Sequence, residues 1–158
     1  MGKHDKTNVM RLLEQNHAEY KSHFYADTDA VSGADVASVL GENPDQTFKT
    51  LVTVGKSGGH YVFVVPVSKE LHLKKAAKAV KEKSIEMIKA RELLPLTGYV
   101  HGGCSPIGMK KQFPTVIDAS SEKFETIFVS GGKIGYQIEL SLQELQKVIL
   151  FGLADISE

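Results

Sequence analysis

The sequence contains one cysteine, Cys104, in 158 residues, so no disulfide can form within the chain. No stretch approaches the roughly 20 apolar residues that a membrane-spanning helix needs. The segment from Met1 to Thr7 lacks the apolar core of a signal peptide. These absences favour a cytoplasmic protein with no membrane partner. A chain of this length can bury about 70 % of the surface that its unfolded form exposes, so it needs no disulfide or metal to fold.

Charge of neither sign is in excess, because 19 basic residues balance 19 acidic ones. The field of the whole molecule therefore indicates no class of partner. The charges are nevertheless uneven, since six lysines stand between positions 69 and 83 against two acids. These six are Lys69, Lys74, Lys75, Lys78, Lys81 and Lys83. Such a stripe can contact a phosphate backbone, but it is also typical of a solvated helix face.

Standard catalytic signatures are missing as well. The sequence has no H-E-x-x-H and no C-x-x-C, and its histidines lack the spacing of a helical metal pair, so we expect no metal and no cofactor. The segment Gly55-Lys56-Ser57 ends like a phosphate loop, but neither Thr50 nor Leu51 is the glycine that this loop requires. Ile107 likewise replaces the final glycine of a G-x-S-x-G elbow.

Hydrophobic periodicity and capping residues predict one mixed α/β domain with a mixed or antiparallel sheet. Helices are expected over 7–16, after the cap Ser32, over 73–80, from the cap Ser84 to a stop at Pro95, and after the cap Ser141. Strands are expected over 20–26, 47–54, 61–67, 116–118, 125–129 and 134–140. The glycine-rich segment 97–111 is expected to be a loop.

Three features could carry chemistry. Lys49 lies inside an apolar strand, where an ammonium group is costly unless it reaches water or a partner, although from the residues alone a solvated strand face is the more common explanation. Gly102 to Gly108 could bring backbone N–H groups close to a ligand, or could simply be a connecting loop. Ser130-Gly131-Gly132 forms a hairpin turn that could also hold a ribose or an amino group.

Cys104 is a fourth candidate, as a nucleophile with His101 as its base. A single cysteine is more often a small buried apolar residue, so the sequence favours that interpretation of Cys104.

The order and spacing of four segments resemble the YbaK/EbsC family. Its members are free-standing trans-editing deacylases related to the editing domain inserted in bacterial prolyl-tRNA synthetases. The segments are Phe48-Lys49-Thr50-Leu51, Leu73-Lys74-Lys75-Ala76-Ala77, Gly98 to Gly108 and Phe124 to Lys133. The resemblance runs from about Thr7 to Asp155 and is greatest to the Cys-tRNA(Pro) deacylases.

The resemblance implies a barrel-like mixed β-sheet flanked by helices, in a single deacylase domain over 1–158. It implies a pocket for the aminoacylated 3′ adenosine of tRNA and prolyl-tRNA synthetase as a partner. Lys49 and Gly102 match the catalytic positions, with Gly102 opening a G-x-x-x-P motif that Pro106 closes. The implied substrate-binding residues are Tyr25, Thr50, Gly103, Ser105, Pro106, Ser130, Gly131 and Gly132. In the family's proposed mechanism the thiol of the substrate, not an enzyme nucleophile, attacks the ester.

The sequence departs from the family pattern at three positions of the expected pocket wall. Cys104 replaces an aliphatic residue, Met109 replaces a glutamine, and an aromatic residue near Ser32 is absent. A pocket that discriminates by one methylene gains only about 1–3 kcal/mol, so the preferred amino acid stays open between cysteine and another small residue such as alanine or serine. A non-catalytic tRNA-binding or synthetase-binding module and a hydrolase of nucleotide esters are the alternatives from other classes.

Overall fold

The computed structural model describes residues 6–158. The first five residues, which include His4 and most of the N-terminal segment considered above, lie outside the described residues. Within residues 6–158 no helix is both long and apolar enough to cross a bilayer.

Five helices and eight strands alternate irregularly along the described part of the chain. The helices are α1 (Asn8–Gln15), α2 (Gly33–Leu40), α3 (Leu73–Ala79), α4 (Leu93–Thr97) and α5 (Leu142–Leu145). The strands are β1 (Lys21–Phe24), β2 (Phe48–Gly55), β3 (His60–Pro66), β4 (Ile85–Met87), β5 (Thr115–Asp118), β6 (Ile127–Ser130), β7 (Tyr136–Leu140) and β8 (Gly152–Ala154).

The larger sheet has five strands in the order β4-β2-β3-β5-β8. The β2–β3 hairpin is antiparallel, as its β-branched strands and glycine-rich connection predict, whereas β3–β5 and β5–β8 are parallel. Residues 62–65 of β3 are fully buried because helix α3 covers one face of this sheet and the other face meets the main core. The predicted mixed α/β fold is thus confirmed.

The smaller sheet has the order β1-β7-β6 and is antiparallel throughout. A parallel bridge between Thr47 and Phe128 joins the start of β2 to β6, so the two sheets wrap around one core in a barrel-like arrangement. Helix α1 adds Val9 and Leu13 to this core, and both side chains are fully buried.

One edge of β2 is only partly covered. Strand β4 pairs with Thr53, Val54 and Gly55, and the backbone bridge to β6 lies at Thr47, directly before β2. Residues 48–51 lie between these two contacts and line a cavity, so the gap in the sheet edge creates room for a site.

The helix predicted from Ser84 to Pro95 is wrong. Residues Ile85–Met87 form strand β4 because their backbone pairs with the end of β2. A 3-10 turn at Ala90–Glu92 then leads into α4, which contains Pro95 instead of ending at it. Pro95 occupies the third position of α4, where the backbone has no partner for an N–H group, so its missing donor costs nothing.

The C-terminal segment is also less helical than predicted. Helix α5 has one turn, in which the Ser141 hydroxyl accepts a hydrogen bond from the Glu144 amide. The Glu144 carboxylate does not complete a capping box, because it accepts hydrogen bonds from the Glu19 amide and from Lys147. Strand β8 was not predicted, since three residues of an edge strand carry too short a pattern.

Candidate active site

A cavity of about 320 Å³ opens where α2, the uncovered edge of β2, the glycine-rich loop and the ends of β6 and β7 meet. Pockets that hold small molecules begin at about this size. Its wall consists of Tyr25, Val31, Ser32, Gly33, Ala34, Val36, Thr47, Phe48, Lys49, Thr50, Leu51, Val67, Leu93, His101, Gly102, Cys104, Ser130, Tyr136 and Gln137. The wall is mostly apolar, with a few polar groups that can orient a ligand.

Lys49 supplies the one ammonium group in this wall as the structure describes it. The lysine side chain is 28 % exposed, and its Nζ lies 3.4 Å from Glu70 Oε2. The Glu70 side chain is 80 % exposed, so this ion pair is long, solvated and weak. The ammonium of Lys49 can therefore turn to an anionic or carbonyl group of a ligand.

The glycine-rich loop enters the cavity at Gly102. This glycine has a φ of +89°, and a Cβ at the same place would come within 3.2 Å of Val31 Cγ1. Gly102 therefore combines a left-handed backbone with a close approach to the opposite wall, which other residues rarely allow.

The rest of the predicted G-x-x-x-P segment lies behind the cavity wall. Gly103 packs against the main chain at Ile134, where a Cβ would come within 3.1 Å of the amide nitrogen. Ser105 is fully buried, and its hydroxyl accepts a hydrogen bond from the Ile107 amide. Gly103, Ser105 and Pro106 do not line the cavity, so they shape the loop that presents Gly102.

Ser130 lines the cavity at the end of β6. Its Oγ accepts a hydrogen bond of 3.1 Å from the Gly132 amide, which leaves the hydroxyl proton able to donate to a ligand. Gly131 and Gly132 form the turn behind it and do not line the cavity. Of the predicted site residues, the structure thus brings five to one cavity: Tyr25, Lys49, Thr50, Gly102 and Ser130.

Cys104 lines the same cavity, but most of the residue is buried in the main core. Burial raises the pKa of the Cys104 thiol to about 12. A thiol in this environment stays protonated at neutral pH and is a poor nucleophile. His101 lines the cavity as well, and no hydrogen bond between the two side chains is present among the described residues.

Sequence reasoning missed a polar group behind the wall. Thr47 and Gln137 line the cavity, and both donate hydrogen bonds to the carboxyl group of Glu42, at 3.1 and 2.9 Å. Glu42 belongs to a polar loop after α2, and the alternation along β7 places Gln137 opposite the apolar face of that strand. No local signal marks either residue, because the packing of distant segments brings them together.

The site combines an ammonium group, a closely approaching backbone and several hydroxyl and amide groups in a mostly apolar cavity. Such groups can orient an activated ester and stabilise the negative charge that develops on its carbonyl oxygen.

Comparison with known proteins agrees with this chemistry. A sequence model of the aminoacyl-tRNA editing domain matches residues 27–148. The chain is 45 % identical over 153 residues to EbsC of Enterococcus faecalis, which is named as a candidate Cys-tRNA(Pro)/Cys-tRNA(Cys) deacylase; the match covers 96 % of this chain and 93 % of EbsC. It is 33 % identical over 93 residues to a proline–tRNA ligase of Pelobacter propionicus, which covers 59 % of this chain and 16 % of the ligase.

A solved structure described as a candidate trans-editing enzyme for prolyl-tRNA synthetase superposes with a TM-score of 0.79 at 25 % identity, over 96 % of this chain and 98 % of the other. The resemblance found in the sequence is thereby confirmed. Because the family model covers most of the chain and EbsC matches nearly all of it, the protein belongs to the aminoacyl-tRNA editing domain family.

Proposed function

We propose that this protein is a cytoplasmic trans-editing deacylase that removes cysteine from mischarged tRNA(Pro). The observation that carries the proposal is the cavity itself, in which the Lys49 ammonium and the Gly102 backbone line one space of about 320 Å³. The 45 % identity to EbsC, with the activity in its name, supports the choice of substrate.

The chemistry needs no nucleophile from the enzyme. An aminoacyl ester is already activated, so the protein has to orient it and stabilise charge. The substrate thiol attacks the ester carbonyl carbon, a carbon–sulfur bond forms, and the ribose oxygen leaves with a proton to release the tRNA. Water then opens the cyclic thioester. Lys49 stabilises the negative charge near the ester, and the Gly102 backbone and Ser130 hydroxyl position the aminoacyl adenosine.

The direct test is to incubate the protein with tRNA(Pro) charged separately with cysteine, alanine or proline and to follow the loss of each ester. We expect selective loss of cysteine. Lys49→Ala should lower the rate by about 100-fold, a typical cost of removing one electrostatic group, and should leave the melting temperature nearly unchanged because the Lys49–Glu70 pair is weak.

Lys123→Ala is the matched control, because Lys123 is exposed, lies outside the lysine stripe and does not line the cavity. A fully active Lys49→Ala variant would refute the assignment of Lys49. Faster loss of alanine than of cysteine would point to the alternative substrate class, and loss of none of the three esters would refute the editing activity.

We further propose prolyl-tRNA synthetase as a partner that selects the tRNA. A domain of this size offers little surface for reading a whole tRNA, and part of the chain is related in sequence to a proline–tRNA ligase. We expect the protein to sediment with the synthetase when tRNA(Pro) is present. Independent sedimentation under those conditions would contradict the partnership.

A further inference from the structure

Glu42 and Gln137 form a side-chain pair at the back of the cavity wall. Glu42 directly follows Gly41, the residue that ends α2, and Gln137 lies on β7 and is 3 % exposed. The Gln137 amide nitrogen donates to Glu42 Oε1 at 2.9 Å. In this bond the NH₂ group of the amide is the donor and the carboxyl oxygen is the acceptor.

The two remaining oxygens of the pair, Glu42 Oε2 and Gln137 Oε1, are buried and have no hydrogen-bond partner among the described residues. A buried oxygen without a partner is costly, and two acceptors cannot bond to each other. A carboxylic acid and a primary amide, however, can form two parallel hydrogen bonds when the acid keeps its proton. One proton on Glu42 would therefore satisfy both oxygens.

We propose that Glu42 is a neutral carboxylic acid in the folded protein and donates its proton to the Gln137 carbonyl oxygen, so that it acts as the positioning residue for Gln137 in the cavity wall. The Thr47 hydroxyl lies 3.1 Å from both Glu42 Oε1 and the Asn43 carbonyl oxygen and can donate to either, so a second lining residue contacts the same acid.

The charged groups around this pair support a neutral Glu42. Burial raises the pKa of the Glu42 carboxyl, and the negative charge of Glu139 acts in the same direction, against the hydrogen bonds from Gln137 and Thr47 and the charge of His23. Burial would also raise the pKa of Glu139, but hydrogen bonds from Thr126 at 2.6 Å and His23 at 3.0 Å outweigh it and lower that pKa. These causes favour a proton on Glu42 and a negative charge on Glu139.

A neutral Glu42 has a consequence for specificity, which rests on the proposed function. It leaves no negative charge directly behind the wall, so the Lys49 ammonium dominates the potential inside the cavity. A positive cavity favours the thiolate form of a bound cysteinyl ester, whereas an alaninyl ester has no side chain that can ionise. Glu42 would thus help the site to act on cysteine without touching the substrate.

The first experiment needs no substrate. The carboxyl carbon of Glu42 is observed by NMR in ¹³C-glutamate-labelled protein as the pH is raised, with Glu42→Gln to assign the signal. We expect Glu42 to titrate well above the ordinary glutamate value of 4.5. Titration at or below that value would overturn the proposal, whatever the deacylase assay shows.

The second experiment compares melting temperatures against pH. A group whose pKa is raised on folding stabilises the folded state at low pH. This stabilisation is lost as the pH rises through the pKa of the group in the folded protein. In the Glu42→Gln variant, the new side-chain amide can form both hydrogen bonds to Gln137 at every pH. This variant should therefore match the natural protein near pH 4.5 and become the more stable of the two at higher pH.

Glu139→Gln is the matched control, because it should change the stability in the opposite direction. Because folding lowers the pKa of Glu139, its ionised carboxylate stabilises the fold at pH values above its pKa in the unfolded state, and this stabilisation is lost as the pH falls. The Glu139→Gln variant should therefore be less stable than the natural protein at about pH 7. If Glu42→Gln were also less stable at that pH, Glu42 would be ionised and the proposal would fail.

The last readout is the pH profile of cysteine release. Above the pKa of Glu42, the rate of the natural protein should fall behind that of Glu42→Gln, because an ionised Glu42 offsets the Lys49 ammonium. Parallel profiles, together with a raised pKa in the NMR titration, would overturn the specificity role.

Discussion

At the scale of single residues, Cys104 is the group whose chemistry depends most on its surroundings. In the sequence it stands beside glycines and near His101, an arrangement that can activate a nucleophile, although a single cysteine is more often a buried apolar residue. In the fold its residue packs into the main core, and burial raises the pKa of the thiol to about 12. The thiol is therefore part of the cavity wall and not a reactive group.

Cys104→Ser should accordingly keep a near-normal rate of cysteine release from tRNA(Pro), at a small cost in stability because a hydroxyl is buried in place of the thiol. Cys104→Ala separates the cost of the hydroxyl from any loss of reactivity. The measurements are the deacylation rate and the melting temperature of both variants. Two folded but inactive variants would restore the nucleophile.

Lys49 is the opposite case to Cys104, because the structure makes its candidate role stronger. A lysine in an apolar strand is by itself ambiguous, and the family resemblance is what assigned it a catalytic position. The structure places its side chain in the wall of the cavity, with one weak, exposed partner. The residue type could be read from the sequence, but its freedom to meet a ligand depends on where Glu70 and the sheet edge lie.

At the scale of elements, the packing of α2 against the end of β3 sets one side of the cavity. Ser32 caps this helix by accepting a hydrogen bond of 3.1 Å from the Asp35 amide, as predicted from the sequence. The first helical residue, Gly33, lies so close to Val67 that an added Cβ would come within 2.3 Å of Cγ1. Glycine is required there by close approach and not by its φ angle.

Gly33→Ala should therefore push α2 away from Val67, lower the free energy of unfolding by about 1–3 kcal/mol and raise the KM for aminoacyl-tRNA, because both residues line the cavity. Val67→Ala in the same chain should restore most of the stability by making room for the new methyl group. Urea denaturation and initial rates measure the two effects.

Gly152→Ala is the control, since a Cβ at Gly152 meets nothing within 4 Å. Equal stability of the Gly33 and Gly152 variants would show that α2 does not depend on the glycine.

The segment 84–95 shows where element prediction failed. Ile85, Met87 and Ile88 with a serine cap and a later proline are consistent with a helix, but the end of β2 offers backbone groups that a short strand can pair with. Tertiary pairing decided this segment, because three or four apolar residues carry too little periodic signal to separate a helix from a strand.

At the scale of the whole molecule, the lysine stripe on and after α3 is either a solvated helix face or a surface that contacts a phosphate backbone. Glu70, the partner of Lys49, lies just before α3, so the stripe begins beside the cavity. Lys74, Lys78 and Lys81 are exposed, whereas Lys75 is paired with Asp155 at 3.0 Å.

Reversing the charge of Lys74, Lys78 and Lys81 together should weaken tRNA binding and flatten its dependence on salt. The slope of log K against log salt should fall by roughly 0.7–0.9 for each phosphate that the protein no longer neutralises. Binding titrations at several salt concentrations measure both effects. Lys123→Glu, at an exposed site in another part of the chain, should leave them unchanged. An unchanged slope in the triple variant would identify the stripe as a solvated face.

The sequence by itself determined what local chemistry can specify. The caps at Thr7, Ser32 and Ser141, the continuous apolar run of β3 and the alternation along β7 each depend on residues a few positions apart, and the structure contains all of them. Their lengths were predicted less well, since α5 is a single turn and β7 begins at Tyr136, two residues later than expected. Tertiary structure decided the strand at 85–87, the buried state of Cys104, and the meeting of Glu42 with Gln137 across 95 positions. The physical reason is that burial and long-range hydrogen bonds depend on which distant segments pack together, and short-range patterns carry no record of that packing.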